Sequence, residues 1–278
     1  MEGKVAGYGI GEVRRIIDKS WSLWRRKYAA APGVEERPGP DAHTVITGLD
    51  LSNVNAVLEA ALAPEGLEKR IREITAPFRR RSVGLTWWVG PCSQPENLDR
   101  ALLEAGFEEG RVLIGMAADL AQTDLREDGP GAELVRISDP EALKEYCRAT
   151  AQAYEVSPPG LELALAAFNR LDYGPGARLA HFAARLSGRL AATASIAVEK
   201  DWALLAGVGT VPQARGRGLG TAVTVRALQE ARSKGCGLAV LQASTAGEPI
   251  YRKLGFREYC RLRRFKWTPD REGQVRPE

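Results

Sequence analysis

The stretch Leu204–Thr221, LLAGVGTVPQARGRGLGT, holds the residues whose types and spacing most clearly suggest chemistry. An apolar run with β-branched residues gives way to Gly216, Gly218 and Gly220, with Arg215 and Arg217 between them. The segment AVTVRALQEARSKG follows, so the order reads strand, glycine loop, helix. Glycine lets the backbone turn tightly and lets a ligand approach its N–H groups with no Cβ in the way. The start of the helix adds unpaired N–H groups and the positive end of the helix dipole. Together they make a seat for a phosphate or pyrophosphate, formed by Arg215, Gly216, Arg217, Gly218, Leu219, Gly220 and Thr221. No Gly-Lys-Ser/Thr follows the glycines, which excludes a P-loop. The spacing Gly-x-Gly-x-Gly also departs from the Gly-x-Gly-x-x-Gly of a dinucleotide-binding turn.

The elements that must position this loop are set by length and composition. A chain of 278 residues is long for one compact domain and comfortable for two. Apolar content of 44% and charged content of 27% fit a globular chain. No apolar run approaches the length of a membrane span, and MEGKVAGYGIGEVRR lacks the apolar centre of a signal peptide, so a cytoplasmic protein with no membrane partner is expected. Cys92, Cys147, Cys236 and Cys260 are scattered and read as reduced thiols. With only His43 and His181 present, a histidine-rich metal centre is excluded and no metal is expected. The net charge of +4 suits a small anionic ligand and calls for no nucleic acid.

Residues 11–30 read as an amphipathic helix whose Val13, Ile16, Ile17, Trp21 and Trp24 share a core face. Strands are expected at 43–48, 82–89 and 111–120, and helices at 53–63, 66–80 and 96–105. Residues 122–132, QTDLREDGPGA, read as a linker. The pattern then restarts. Strands are expected at 133–137, 178–186, 189–198, 202–211, 238–243 and 258–267, with helices at 141–154, 160–171, 221–234 and 248–253. Ser138, Asp139 and Pro140 mark a helix start. The tail DREGQVRPE reads as frayed.

The spacing Arg215-x-x-Gly218-x-Gly220 after Val211-Pro212 resembles the acetyl-CoA pyrophosphate loop of the GNAT acyltransferase superfamily. The segment Pro249-Ile-Tyr-Arg-Lys-Leu-Gly-Phe256 is similar to that superfamily's later helix and turn. The resemblance covers residues 133–267 and implies an α/β (α+β) fold with a mixed, mostly antiparallel central sheet flanked by helices. It implies acetyl transfer from acetyl-CoA to a primary amine of a small molecule or peptide. Gly209, Thr210 and Val211 would line the pantetheine arm, and Ser244 stands where the family often has an asparagine contacting the cofactor. Tyr251 matches the family's acid, which protonates the departing thiolate. Many members carry a glutamate on the strand corresponding to Trp202–Val211; this chain has none there. Glu248 is one candidate base, with Glu155, Asp172 and a water chain as others. Tyr154, Glu155, Asp172 and Tyr173 suggest an acceptor pocket with polar groups and aromatic walls. A cofactor-binding sensor or interaction module, and an aminoacyl transferase of tandem GNAT-like fold, remain alternative readings.

The two halves also echo each other. Leu103-Glu-Ala-Gly106-Phe107 repeats the helix-end Gly-Phe of Arg252-Lys-Leu-Gly255-Phe256, in a similar order of elements. The first half has no Arg-x-x-Gly-x-Gly, and Leu102 stands where the second has Tyr251. The expected organisation is a degenerate GNAT-like domain at 1–121, the linker at 122–132 and a cofactor-binding domain at 133–278. Such a pair would be a monomer with internal pseudo-symmetry, or a homodimer.

Overall fold

The computed structural model describes residues 4–126 and 131–269. Residues 127–130 of the expected linker and the tail from residue 270 lie outside the described residues. The fold is mixed α/β with mostly antiparallel sheets flanked by helices. It separates into two compact units.

The larger unit comprises residues 1–32 and 113–262. Its sheet runs, neighbour to neighbour, through residues 257–262, then Leu113–Asp119, Leu238–Ala243, Trp202–Thr210, Arg189–Glu199, Leu179–Leu186 and Glu133–Arg136. All neighbours are antiparallel except Trp202–Thr210 with Leu238–Ala243, which are parallel and joined through helix Leu219–Ser233. Side chains alternate between the two faces of each strand. Ala192, Ala194, Ile196, Ala203 and Leu205 meet Val223, Ala227 and Leu228 of that helix on one face. Leu204, Ala206 and Val240 meet Ile17, Trp24, Leu143 and Tyr146 on the other, under helices Ile10–Arg26 and Pro140–Tyr154. Alanine-rich strands let the helices approach closely. Asp139 caps helix Pro140–Tyr154 by accepting from Ala142 N at 2.9 Å, as Ser-Asp-Pro predicts. Trp24 is a core residue packed on Phe168.

The smaller unit comprises residues 33–112 and 263–278. Its sheet runs through Glu35–Pro38, His43–Ile46, Ala56–Leu58, Leu85–Val89 and residues 263–267, with Glu108–Glu109 beside the last. Helices Leu67–Arg80 and Leu98–Glu104 close its core around Ile71, Phe78, Trp87 and Phe107. His43 is buried and its Nε2 meets Glu36 at 2.9 Å, a structural pairing.

Two expectations fail. The domain boundaries at 121 and 133 do not describe the compact units. Helix Ile10–Arg26 and strand Leu113–Asp119 belong with the second half of the sequence, and residues 263–267 belong with the first. The first half thus supplies strand Leu113–Asp119 to the larger unit, and the second half supplies residues 263–267 to the smaller. The helix expected at 53–63 is instead strand Ala56–Leu58, all three residues buried. Leucine and alanine favour a helix locally, but tertiary hydrogen bonding overrides that preference. Asn55 is fully buried, and its Nδ2 donates to Leu49 O at 2.7 Å and Gly84 O at 2.8 Å. Its Oδ1 accepts from Thr47 N at 2.8 Å and Thr47 Oγ1 at 2.9 Å.

Truncating Asn55 strands several buried backbone groups at once. Asn55→Ala should cost about 2–4 kcal/mol, because each orphaned buried polar group costs about 1–3 kcal/mol. Chemical denaturation checks this. A loss within about 0.5 kcal/mol would show that the amide is not what holds these loops.

Candidate active site

The site is built on strand Trp202–Thr210. Its parallel ladder with Leu238–Ala243 pairs Trp202, Ala203 and Leu204 with Leu238, Ala239 and Val240, and the register ends there. Beyond it, residues 205–210 stay with Arg189–Glu199 on one side, and residues 241–243 stay with Leu113–Asp119 on the other. The two parallel strands therefore part. A bulge falls at this point: Thr193 pairs with Gly209 and Ser195 with Ala206, leaving two residues unmatched. Gly207 takes the left-handed φ of 62°, as residues in bulges often must.

Side-chain hydroxyls hold the bulge. Thr193 Oγ1 donates to Gly207 O at 3.1 Å, and Tyr154 Oη donates to Val208 O at 2.6 Å. A Cβ on Gly207 would sit 3.4 Å from both Ser195 Oγ and Tyr146 Oη. Ser195 Oγ lies between Tyr146 Oη at 2.7 Å and His181 Nδ1 at 2.8 Å, all fully or almost fully buried. Two residues on, a Cβ at Gly209 would lie 2.8 Å from Ala153 Cβ and 3.0 Å from the Tyr154 ring, so only glycine fits.

The glycine loop continues from this strand. Pro212–Ala214 makes a single 3-10 turn, Gly216 and Gly218 take φ of 76° and 74°, and Gly218 opens helix Leu219–Ser233. No side chain caps this helix, so its first N–H groups are available to an anion. Gly216 and Gly218 have no atom within 4 Å of a Cβ position, whereas a Cβ on Gly220 would press on Thr210 Oγ1 at 3.2 Å. Leu219 is buried as the anchor of the helix, and Thr221 is half-buried. Arg217 is exposed. Arg215 braces the loop, with Nε donating to Thr210 O and Nη2 to Ala153 O, each at 3.2 Å.

On the far side of the opening, helix Glu248–Lys253 follows a turn in which Ser244 Oγ accepts from Gly247 N at 3.2 Å. Tyr251 on this helix packs edge-on to Phe256, with ring centroids 6.0 Å apart. Burial pushes its ionisation up to about 12, so the hydroxyl keeps its proton at neutral pH. Glu248 is engaged by Arg252, whose Nε lies 2.6 Å from its Oε1.

The four expected acceptor residues do not form one cluster of contacts. Tyr154 sits on the bulge with 52% of the residue exposed, its hydroxyl donating to Val208 O. Glu155 is exposed and takes a left-handed φ of 54°, reversing the chain between two helices. Asp172 Oδ1 accepts from Gly174 N at 3.0 Å and shapes a loop. Tyr173 packs 6.0 Å from the His181 ring. Thr193, Ser195, Tyr146 and His181 were not among the expected site residues. Their signal in the sequence is the polar alternation Thr193-x-Ser195 in an alanine-rich strand.

The first half carries the corresponding connection, but closed. Gly66, with φ of 73°, opens helix Leu67–Arg80, which leads to a strand parallel to the one before the glycine. There the gap is sewn up: Gln94 N donates to Ala60 O at 2.9 Å, and Leu62 N donates to Gln94 O at 3.0 Å.

Residues 142–256 match the model of the Acetyltransferase (GNAT) family. They form a GNAT acetyltransferase domain. Over 138 residues, 47% of this chain and 92% of the relative, the sequence is 29% identical to a glucosamine 6-phosphate N-acetyltransferase of Trypanosoma brucei brucei. The fold resembles a GCN5-related N-acetyltransferase from Kribbella flavida at a TM-score of 0.70, with 18% identity, covering 93% of this chain and 97% of that one. It also resembles a tandem GNAT protein from the clavulanic acid biosynthesis pathway, at a TM-score of 0.60 and 17% identity, covering 92% and 88%. The likeness to a tandem GNAT protein supports two copies of the GNAT fold. Among the described residues no His, Cys, Asp and Glu group fits a metal, the four cysteines form no disulfide, and no helix is long and apolar enough to cross a membrane.

His181 gives a pH signature of the folded GNAT domain. Burial, reinforced by Lys27 and Arg136, lowers its pKa from 6.5 to about 3. The unfolded chain therefore binds the proton that the fold excludes. Stability is fully present above about pH 6.5 and falls as pH drops towards 3, by about 2 kcal/mol between pH 7.5 and 5. Denaturation of wild type and His181→Asn at both pH values checks this. The variant should lack this part of the slope, and identical slopes would show that His181 protonates without cost.

Proposed function

We propose that the chain transfers the acetyl group of acetyl-CoA to a primary amine of a small molecule or peptide. The observation that supports this best is the continuity of three features on one strand: the parting after Leu204, the bulge at Gly207, and the open left-handed glycine loop at the start of helix Leu219–Ser233. The loop fits the diphosphate of CoA. Its glycines leave N–H groups uncovered, and Arg217 adds a cation beside them. Arg215 acts as the brace that shapes the seat. Gly209, Thr210 and Val211 follow the edge along which the pantetheine arm would run, with Ser244 at the turn opposite.

The chain's own residues then have distinct tasks. A trans peptide sets a carbonyl and the next N–H on opposite sides. With Gly207 O held by Thr193, Val208 N–H of the same peptide lies on the side opposite that hydroxyl. An N–H aimed at a thioester oxygen stabilises the negative charge that grows there as the amine adds. The amine nitrogen forms the new bond to the acyl carbon, and the carbon–sulfur bond breaks. Tyr251, protonated at neutral pH, gives its proton to the sulfur. Strand Trp202–Thr210 carries no carboxylate and Glu248 already holds Arg252, so the amine's proton passes to water.

Glu155 and Asp172 are exposed carboxylates, and if they border the acceptor's path they favour a cationic amine, which reacts once it has lost its proton. The curated relative acts on glucosamine 6-phosphate by its name, which makes that amine the first member of a test panel.

Thiol release from acetyl-CoA across an amine panel tests the reaction. CoA binding with no turnover by any amine would instead favour a sensor. Calorimetry should find one CoA site per chain, because the first half's connection is closed by Gln94. Gly218→Asp should abolish it by setting a carboxylate against the phosphates at a position with φ of 74°. Two equivalent sites, or unchanged binding by the variant, would overturn this assignment. Tyr251→Phe should lower kcat by about 10²-fold, at the lower end for general acid catalysis, with cofactor affinity nearly unchanged. Wild-type kcat would show that water protonates the sulfur.

A further inference from the structure

The strand Arg189–Glu199 is rich in alanine, and on the face under helix Pro140–Tyr154 it places Thr193 and Ser195, both fully buried. A buried hydroxyl costs free energy unless it is used. Valine has nearly the shape of threonine and would suit an apolar face. Thr193 spends its hydroxyl on Gly207 O at 3.1 Å, with Thr150 Oγ1 3.3 Å behind it. Thr150 is in turn fixed on Tyr146 O at 2.9 Å. The bond lands on the one carbonyl whose direction decides where Val208 N–H points. The next peptide plane is held in the same manner, by Tyr154 on Val208 O. Gly207, at positive φ, is a residue that would otherwise rotate with little resistance.

We infer that Thr193 is a positioning residue of the acetyl-transfer reaction: its hydroxyl locks the Gly207–Val208 peptide plane so that Val208 N–H faces the acyl oxygen. The inference rests on the functional reading above. Thr193 touches neither substrate nor cofactor. It removes the freedom of a left-handed glycine before the reaction begins, so the N–H needs no reorientation while charge develops. Ser195, held between Tyr146 and His181, backs the Cα of the same glycine and limits its movement from below.

The test uses binding, so it needs no knowledge of the acceptor. The probes are CoA and the ketone analogue of acetyl-CoA in which a methylene replaces the thioester sulfur. The analogue keeps the carbonyl and cannot react. Wild type should bind the analogue roughly five- to tenfold more tightly than CoA, the worth of one well-aligned hydrogen bond. Thr193→Val should bind CoA as wild type does and lose most of that ratio. Thr193→Ser, which keeps the hydroxyl, should restore it. A structural role for Thr193 would weaken both ligands together. That result, an unchanged ratio in Thr193→Val, or a serine variant behaving like valine, would overturn the positioning role alone. Failure of wild type to bind CoA would overturn the functional reading and this inference with it.

Discussion

Two parallel strands can part inside a sheet only if the backbone groups they abandon find other partners. A buried N–H or C=O without one costs as much as a lost hydrogen bond. In the larger unit the ladder between Trp202–Thr210 and Leu238–Ala243 ends at Leu204, yet both strands continue. Residues up to 210 stay attached to Arg189–Glu199, and residues up to 243 stay attached to Leu113–Asp119. The second attachment comes from the first half of the sequence. Strand Leu113–Asp119 therefore supplies the neighbour that keeps Leu241, Gln242 and Ala243 ordered beside an opening. Helix Ile10–Arg26 joins in, since Gln242 Nε2 donates to Ile17 O at 2.9 Å.

The smaller unit shows what the same plan looks like when no opening is kept. Its helix also begins after a left-handed glycine and also connects two parallel strands. Gln94 then extends the contact by pairing with Ala60 and Leu62. Those two hydrogen bonds cost nothing in function and satisfy groups that would otherwise need a ligand or water. The same plan is built there without an opening, which separates what builds a sheet from what makes it a site.

The parts that were legible in the sequence are those written locally. Glycines on alternate positions before a helix, a tyrosine four residues before Gly255, and the Ser-Asp-Pro helix start each act within a few residues of themselves. The missed parts depend on partners far along the chain. Strand Ala56–Leu58 looks helical by composition, and it is its pairing with His43–Ile46 and Leu85–Val89, with Asn55 bonding to Gly84, that makes it extended. The unit boundaries were hidden because strands Leu113–Asp119 and 263–267 look alike whichever sheet they join. The bulge is a matter of register between strands, and one strand's sequence cannot show register. Gly207 in an apolar run was its only local trace, and Thr193 and Ser195 gained meaning only once paired with it.

What gathers at the bulge is neutral. Tyr146 has its ionisation pushed up by burial, as has Tyr251 across the opening, and His181 has its protonation pushed down. Thr193 and Ser195 carry no charge. A site made of fixed dipoles does not change its own charge across the physiological range, so it holds one hydrogen-bond arrangement throughout. In the reaction proposed above, a cationic acceptor would give up a proton before it attacks, and Tyr251 would give one to the sulfur. The missing strand carboxylate fits that division of labour. A buried carboxylate beside the bulge would favour the ammonium form and resist its loss of a proton, whereas neutral hydroxyls leave the amine free to lose its proton to water.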